Sequence, residues 1–239
     1  MNVTVIVAAR MGSSRLPGKV MRPLGDLPML EFLLLRLQRS HLADKEVLAT
    51  TEKPEDDSLV SLAERIGVPV YRGSERDVTG RYLDAADWAG AEYVARVTGD
   101  CPLVDAKIVD DVIEWGNGLS PFDLLTTKGH YPVGLDVEIF SVEKLRNRAK
   151  RGLLDEEDRE HVTLHFYKHP DLFRVVTIEP PEALSLVEGV FTVDTESDYQ
   201  RMRGIVRDGG DVEVPTEKLL ERMRSDADDL FETVGAHHA

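Results

Sequence analysis

The chain has 239 residues and a mass of 26.7 kDa, enough for a large buried core in one or two domains. Hydrophobic residues make up 42% and charged residues 31%, and 29 basic against 44 acidic side chains leave a net charge of −15. That charge repels polyanions and anionic lipid and argues against a nucleic-acid-binding or membrane-docking role, while the single cysteine, Cys101, excludes an internal disulfide framework and a thiolate zinc cluster.

The opening MNVTVIVAAR lacks a basic flank and a cleavage site, so it reads as a buried first strand and not as a signal peptide. No apolar run approaches the length of a transmembrane helix, and the expectation is a soluble cytoplasmic protein. Val3–Ala9 is a continuous small and apolar run, as in a parallel strand covered on both faces. A loop with Gly12, Ser13, Ser14, Pro17 and Gly18 follows. Leu30, Leu33, Leu34 and Leu37 recur at helical spacing and predict a helix over Pro28–Arg39. Next come a strand at Glu46–Thr50, a helix at Pro54–Ile66, a strand at Val68–Tyr71, a helix at Asp77–Trp88 and a strand at Tyr93–Val97. Asp105 is placed to cap a helix running to about Trp115. This alternation predicts a layered α/β sheet.

After about residue 118 the pattern loosens. Strands are expected at Leu135–Phe140, Phe173–Glu179 and Phe191–Val193, and helices at Ser141–Arg151, Asp158–Lys168 and Ser197–Arg207. From Asp208 a charge-rich tail carries a weak amphipathic stretch at Thr216–Arg224. No repeat or linker interrupts the chain. It therefore reads as one domain, 1–239, with an α/β nucleotide half (1–118), a more irregular half (119–207) and an acidic tail (208–239).

Four features carry chemistry. Arg10, Arg15, Lys19 and Arg22 form a cationic island with no acid among them, in the loop after the first strand. Open α/β sheets bind ligands at that end, and arginine forks with a lysine point charge suit phosphate. The loop is neither a P-loop nor a GxGxxG turn, and its alternative is a basic surface loop. Asp100, in RVTGDCP, ends a strand beside it and has the character of a Mg²⁺ ligand shared with phosphate oxygens; its alternative is a turn residue before Pro102. Asp194, after a short strand, is a second metal candidate, and Asp198 belongs to a helix N-terminus. The clusters around Tyr131, Asp136 and Glu138, and around Arg159, Glu160 and His161, either line an acceptor pocket or face solvent on an edge strand and a helix face. His161, His165 and His169 stand at i, i+4, i+8, a metal-binding spacing, but without a cysteine or an HExxH pattern to support zinc. Cys101 reads as a small buried residue, Trp88 and Trp115 as core packing, and His237 and His238 as an untethered tail.

The stretch AARMGSSRLPGKVMRPLGDLPMLEFLLLRL, followed in order by DVTGRYLDAA, RVTGDCPLVD, YPVGLDVEIFS, DREHVT and FTVDT, resembles the cytidylyltransferases that activate sugar acids, such as the CMP-Kdo and CMP-sialic acid synthetases. Within them it is most similar to the spore-coat polysaccharide biosynthesis protein F group, over residues 3 to about 205. The resemblance implies a Rossmann-like nucleotidyltransferase fold of the GT-A type, a mostly parallel central sheet flanked by helices. It implies attack of an acidic acceptor on the α-phosphate of CTP with release of pyrophosphate, Mg²⁺ as cofactor, and a homodimer in contact after about residue 120. By motif, Ala8, Ala9, Arg10, Gly12, Ser13, Arg15, Lys19, Thr79, Gly80, Arg81, Thr98 and Asp100 would bind the nucleotide. Arg15, Lys19 and Asp100 would serve catalysis, and Asp100 and Asp194 the metal. Tyr131, Asp136, Glu138, Arg159, Glu160 and His161 would bind the acceptor, which makes 119–207 the acceptor-binding and oligomerisation half. Two other classes remain: a nucleotide-binding regulatory module without turnover, and a GT-A glycosyltransferase, against which the missing DxD at Asp100-Cys101-Pro102 speaks.

Overall fold

The computed structural model describes residues 1–119, 121–181, 184 and 189–223. Its centre is a seven-stranded sheet in the order β5-β4-β1-β6-β8-β7-β9. The strands are β1 (Val3–Ala8), β4 (Lys45–Thr51), β5 (Val70–Gly73), β6 (Tyr93–Thr98), β7 (Leu124–Thr126), β8 (Glu138–Ser141) and β9 (Val175–Thr177). β2 (Pro23–Leu24) and β3 (Leu27–Pro28) form a separate two-stranded ribbon. In the seven-stranded sheet β8 runs antiparallel to both its neighbours, β6 and β7, and the other pairings are parallel; the β2–β3 ribbon is antiparallel.

The continuous apolar run of β1 is explained by its two covered faces. Val3, Val5 and Val7 enter one core layer with α1 (Met29–Leu37), α2 (Asp57–Arg65) and α4 (Ala106–Leu119). Ile6 points the other way, into a layer with α3 (Val78–Ala89), α5 (Val142–Lys150) and Phe166 of α7 (Leu164–Lys168). On α1, Leu30, Leu33, Leu34 and Leu37 are all buried, so truncating one to alanine would cost about 2–5 kcal/mol. Arg36, on the same helix, is also buried and donates to the carbonyls of Asp211 and Val214 and to the Thr216 hydroxyl. These bonds fasten residues 211–216 onto the first half of the chain. The stretch expected as a charge-rich tail is therefore packed as far as residue 223, with Leu219 and Leu220 buried. His237 and His238 lie outside the described residues.

Several expectations need correction. The predicted helix Asp158–Lys168 is two short helices, α6 (Glu156–Glu160) and α7. Asp155 and Asp158 form a reciprocal capping box that starts α6 early, and α6 ends at His161. His161 and His165 therefore do not share one helix face. No strand forms at Phe191–Val193. Val190 makes an isolated bridge to Val133, and the Val193 N–H donates to the Asp100 carbonyl at 2.8 Å. Glu138 does not face solvent on an edge strand, because β8 is interior to the sheet and Glu138 is 1% exposed. Trp88 and Trp115 are more than half exposed and are not core; Trp88 leans on Tyr71, with ring centroids 6.3 Å apart. β7 was not foreseen.

Candidate active site

A cleft of about 410 Å³ opens at the carboxyl ends of β1 and β6. Its walls carry Ala8, Ala9, Arg10, Gly12, Ser13, Ser14, Arg15 and Lys19 from the first loop, and Arg96, Thr98, Gly99 and Asp100 from β6 and the turn beyond it. Val78 and Arg81 of α3, Glu160, His161 and Asp194 complete it. A larger cavity, about 690 Å³, lies between α4 and the Tyr131 and Glu179–Pro181 segments; among the described residues its lining holds acids and apolar groups but no lysine or arginine. The cationic chemistry and the aspartates converge in the smaller cleft.

The loop is shaped by hydrogen bonds reaching well beyond it. The Gly18 N–H donates to the Met11 carbonyl at 3.0 Å and closes the loop, with Gly18 at a φ of 68°, where a side chain would be strained. Asp56, wholly buried at the start of α2, accepts from the Met11 N–H at 2.7 Å and from the Thr51 hydroxyl. It thereby pins the loop to the end of β4. The Ser13 hydroxyl accepts from the Leu16 N–H.

At the centre, Lys19 Nζ stands 2.9 Å from Asp100 Oδ2 and 2.9 Å from Asp194 Oδ1. Arg15 reaches Asp194 Oδ1 at 2.8 Å, and the Thr98 hydroxyl donates to Asp100 Oδ1 at 2.6 Å. Burial lowers the Lys19 pKa, but the two carboxylates outweigh it and hold the ammonium above its ordinary value. Burial likewise pushes Asp100 up, and Lys19 with the Thr98 hydroxyl brings it below the usual carboxylate range. Both groups are charged at neutral pH. Neighbouring Cys101 is a buried thiol pushed well up by desolvation, which leaves no thiolate to act as a nucleophile.

Asp194 comes to this point from the far end of the sequence. The capping box of Thr195 and Asp198 starts α8 (Glu196–Ile205), and Asp198 also accepts from the Asp194 N–H. Burial raises Asp198, but the Thr195 hydroxyl and backbone N–H groups bring it down to about 2. The helix is docked by Arg22, which pairs with Glu196 and lies 3.7 Å from the Tyr199 ring centroid, and by the Tyr199 hydroxyl donating to the Pro23 carbonyl.

The remaining site candidates divide. Arg81, Glu160 and His161 line the cleft. Thr79 is buried and donates to the Asp158 carbonyl at 2.6 Å, behind the wall. Gly80 serves the helix cap: its N–H donates to Asp77, and a Cβ there would stand 2.7 Å from that carboxylate. Arg159 is tied to Asp77 at 2.6 Å. Asp136 accepts from the Gly134 N–H, and Glu138 lies behind Arg96. Tyr131 lines the other, larger cavity and is not brought to the cleft. Arg96 was missed as a site residue. Its signal was present in the sequence, a basic residue two places before Thr98 on a strand whose end carries Asp100.

Comparison with known proteins agrees with this geometry. Residues 4–208 match the family described as Cytidylyltransferase. The Methanocaldococcus jannaschii protein MJ1063 is 39% identical over 201 residues, covering 84% of this chain and 81% of that protein. The spore coat polysaccharide biosynthesis protein SpsF of Bacillus subtilis is 32% identical over 95% of this chain and 96% of its own. Among solved structures, a cytidylyltransferase from Leptospira borgpetersenii superposes with a TM-score of 0.85 at 31% identity, over 95% of this chain and 96% of that one.

Proposed function

The chain belongs to the cytidylyltransferase family, the CTP-dependent nucleotidyltransferases, and from that premise we propose that it transfers CMP from CTP to an acidic sugar or related acceptor, releasing pyrophosphate, with Mg²⁺ as cofactor. The observation that carries this reading is the meeting of Lys19, Asp100 and Asp194 at one point beside the cationic loop.

The residues present fit a magnesium ion. Asp100 and Asp194 supply two hard oxygen donors aimed at a common point, and among the described residues no third His, Cys, Asp or Glu joins them. Mg²⁺ suits such a set, because it takes one or two carboxylates and fills its shell with phosphate oxygens and water. When bound, it neutralises charge on the reacting phosphates and orients them for in-line displacement. The protein's own part is positioning and charge. Arg10, Arg15 and Lys19 grip the triphosphate and stabilise the leaving pyrophosphate, while backbone at Gly12–Ser14 lets the phosphates approach closely. Lys19 turns from the carboxylates to the phosphates when the nucleotide enters. Glu160 and His161 stand on the acceptor side. The acceptor oxygen attacks the α-phosphorus directly, with no covalent intermediate on the enzyme, so no nucleophilic side chain is required.

The product would be a precursor for surface polysaccharide or another glycoconjugate, a role supported by the likeness to the Bacillus spore coat protein. A cytoplasmic location is part of the proposal; no helix among the described residues is long and apolar enough to cross a membrane. A homodimer formed through residues 119–207 is part of the proposal, and light scattering tests it. Pyrophosphate release from CTP, assayed against a panel of sugar acids and phosphonates, tests the activity. Release that depends on Mg²⁺ and on one acceptor supports it; sugar transfer from a nucleotide sugar without pyrophosphate would replace it with the glycosyltransferase reading.

A further inference from the structure

Arg96 lines the cleft from β6, on the same strand face as Thr98. Directly across the sheet seam stands Glu138 of β8, and Arg96 Nη1 donates to its Oε2 at 3.1 Å. The Glu138 carboxylate has no room for a ligand. It is 1% exposed, its Oε2 also accepts from the Thr163 hydroxyl at 2.8 Å, and its Oε1 accepts from the Tyr167 hydroxyl at 2.6 Å. Tyr167 is braced in turn by Thr126. What this network does is hold a guanidinium.

The guanidinium itself is far from saturated. It has five donor hydrogens. Among the described residues Glu138 is its one hydrogen-bond partner, and its Nε is buried with none. The other cations of the cleft are differently placed. Arg10, Arg15 and Lys19 sit on the loop after β1 and pair with Glu75, Asp194 and the two central aspartates, and Arg81 stands on α3 and donates to the Ser74 carbonyl. Arg96 alone among the arginines of the cleft stands at the seam where the parallel strands meet the antiparallel β8, close to the half of the chain that supplies Glu160 and His161.

We propose that Arg96 is the residue that reads the acceptor: its partly uncommitted fork receives the acceptor's carboxylate, and Glu138 is a positioning residue that aims it. This rests on the nucleotidyltransferase reading above and narrows the acceptor to an acid recognised by its carboxylate. A guanidinium fork matches a planar carboxylate through two parallel hydrogen bonds, which an ester cannot reproduce.

The test is calorimetric titration of the protein loaded with the non-transferable α,β-methylene analogue of CTP. The probes are 3-deoxy-manno-octulosonate, N-acetylneuraminate and a wider panel of sugar acids, each beside its methyl ester. At least one acid should bind the wild type about tenfold or more tightly than its ester, the worth of a charge-assisted hydrogen bond. In Arg96→Gln that preference should disappear while affinity for the CTP analogue is unchanged. Glu138→Gln should weaken the preference, also without touching the nucleotide. The double variant Arg96→Gln/Glu138→Gln leaves neither charge unpaired in the sheet, which guards against loss of fold by an uncompensated buried charge, and it should likewise bind acid and ester alike. The proposal is overturned if no acid binds the loaded wild type, if Arg96→Gln keeps the acid-over-ester preference, or if it weakens the CTP analogue instead. Failure of the wild type to bind the CTP analogue at all would sink the nucleotidyltransferase reading and this inference with it.

Discussion

Lys19 and Asp100 are 81 positions apart in sequence, and their charged atoms meet at 2.9 Å. The contact joins the loop after β1 to the turn after β6, two neighbouring parallel strands, and it carries Asp194 as a third member. A lysine held only 10% exposed between two carboxylates is poised for a ligand that can outbid one of them, and a triphosphate with its metal can. Replacing Lys19 with methionine should lower CTP-dependent pyrophosphate release by about 100-fold or more, the usual loss when a charge-stabilising group is removed from a reacting centre. Lys19→Arg should not restore it, because a planar fork cannot occupy the same point between Asp100 and Asp194. Steady-state pyrophosphate assays on the two variants check this, with circular dichroism to confirm that both are folded.

Asp100→Asn tests the metal side. The amide keeps the shape and its acceptor oxygen can still meet the Thr98 hydroxyl, so the fold should survive. Without its charge the site loses half of its carboxylate pair, and turnover should fall by about 100-fold or more. Excess Mg²⁺ should recover part of the loss, and near-normal turnover in this variant would count heavily against the proposed site.

Asp56 does not line the cleft, yet it holds the loop. In Asp56→Ala the Met11 N–H loses its acceptor, at a cost of about 1–3 kcal/mol in stability. KM for CTP should rise more than kcat falls, because the loop is displaced while Asp100 and Asp194 remain. Asp56→Asn retains an acceptor oxygen and should return most of the KM effect, which a purely structural role would not do.

The local features of this chain are legible in its sequence because their causes are local. The leucines of α1 recur at helical spacing, and β1 is apolar throughout because both faces are covered. The cationic loop stands out against a surplus of acid. What the sequence hides depends on partners far along the chain. Glu138 reads as a solvent-facing residue until its cross-strand neighbour, Arg96, is known, 42 positions away. The early start of α6 follows from a capping box that begins at Asp155, three residues before the predicted start, and the break before α7 falls at His161, whose backbone has left the helical region. Tyr131 falls within a matching motif, and only the packing of α4 shows that it faces a different cavity. Gly80 and Thr79 sit in a motif suited to nucleotide contact, but their hydrogen bonds are spent on a helix cap and on the backbone of Asp158.

Away from the cleft, Glu46 on β4 has both carboxylate oxygens buried with no hydrogen-bond partner among the described residues, and burial pushes its pKa up to about 8. The folded chain therefore keeps a proton that the unfolded chain releases near the ordinary glutamate value. Stability from this group is fully present below that ordinary value and is lost as pH rises toward 8. Glu46→Gln removes the titration. Thermal melts should show the wild type losing stability between about pH 5 and 8.5 relative to the variant. At pH 8.5 Glu46→Gln should melt at least about 2–4 °C higher, the shift that 1 kcal/mol produces in a chain of this size. Parallel melting curves across that range would show that Glu46 is ionised in the folded state.

The most direct measurement is calorimetric binding of CTP, GTP, UTP and ATP to the purified protein, each with and without Mg²⁺, repeated with Asp100→Asn. CTP should bind selectively and more tightly with Mg²⁺, and the Mg²⁺ enhancement should weaken sharply in Asp100→Asn, returning only in part at excess Mg²⁺. Equal affinity for all four nucleotides, or CTP binding indifferent to Mg²⁺ and to Asp100, would contradict a metal-assisted cytidylyl transfer at this cleft.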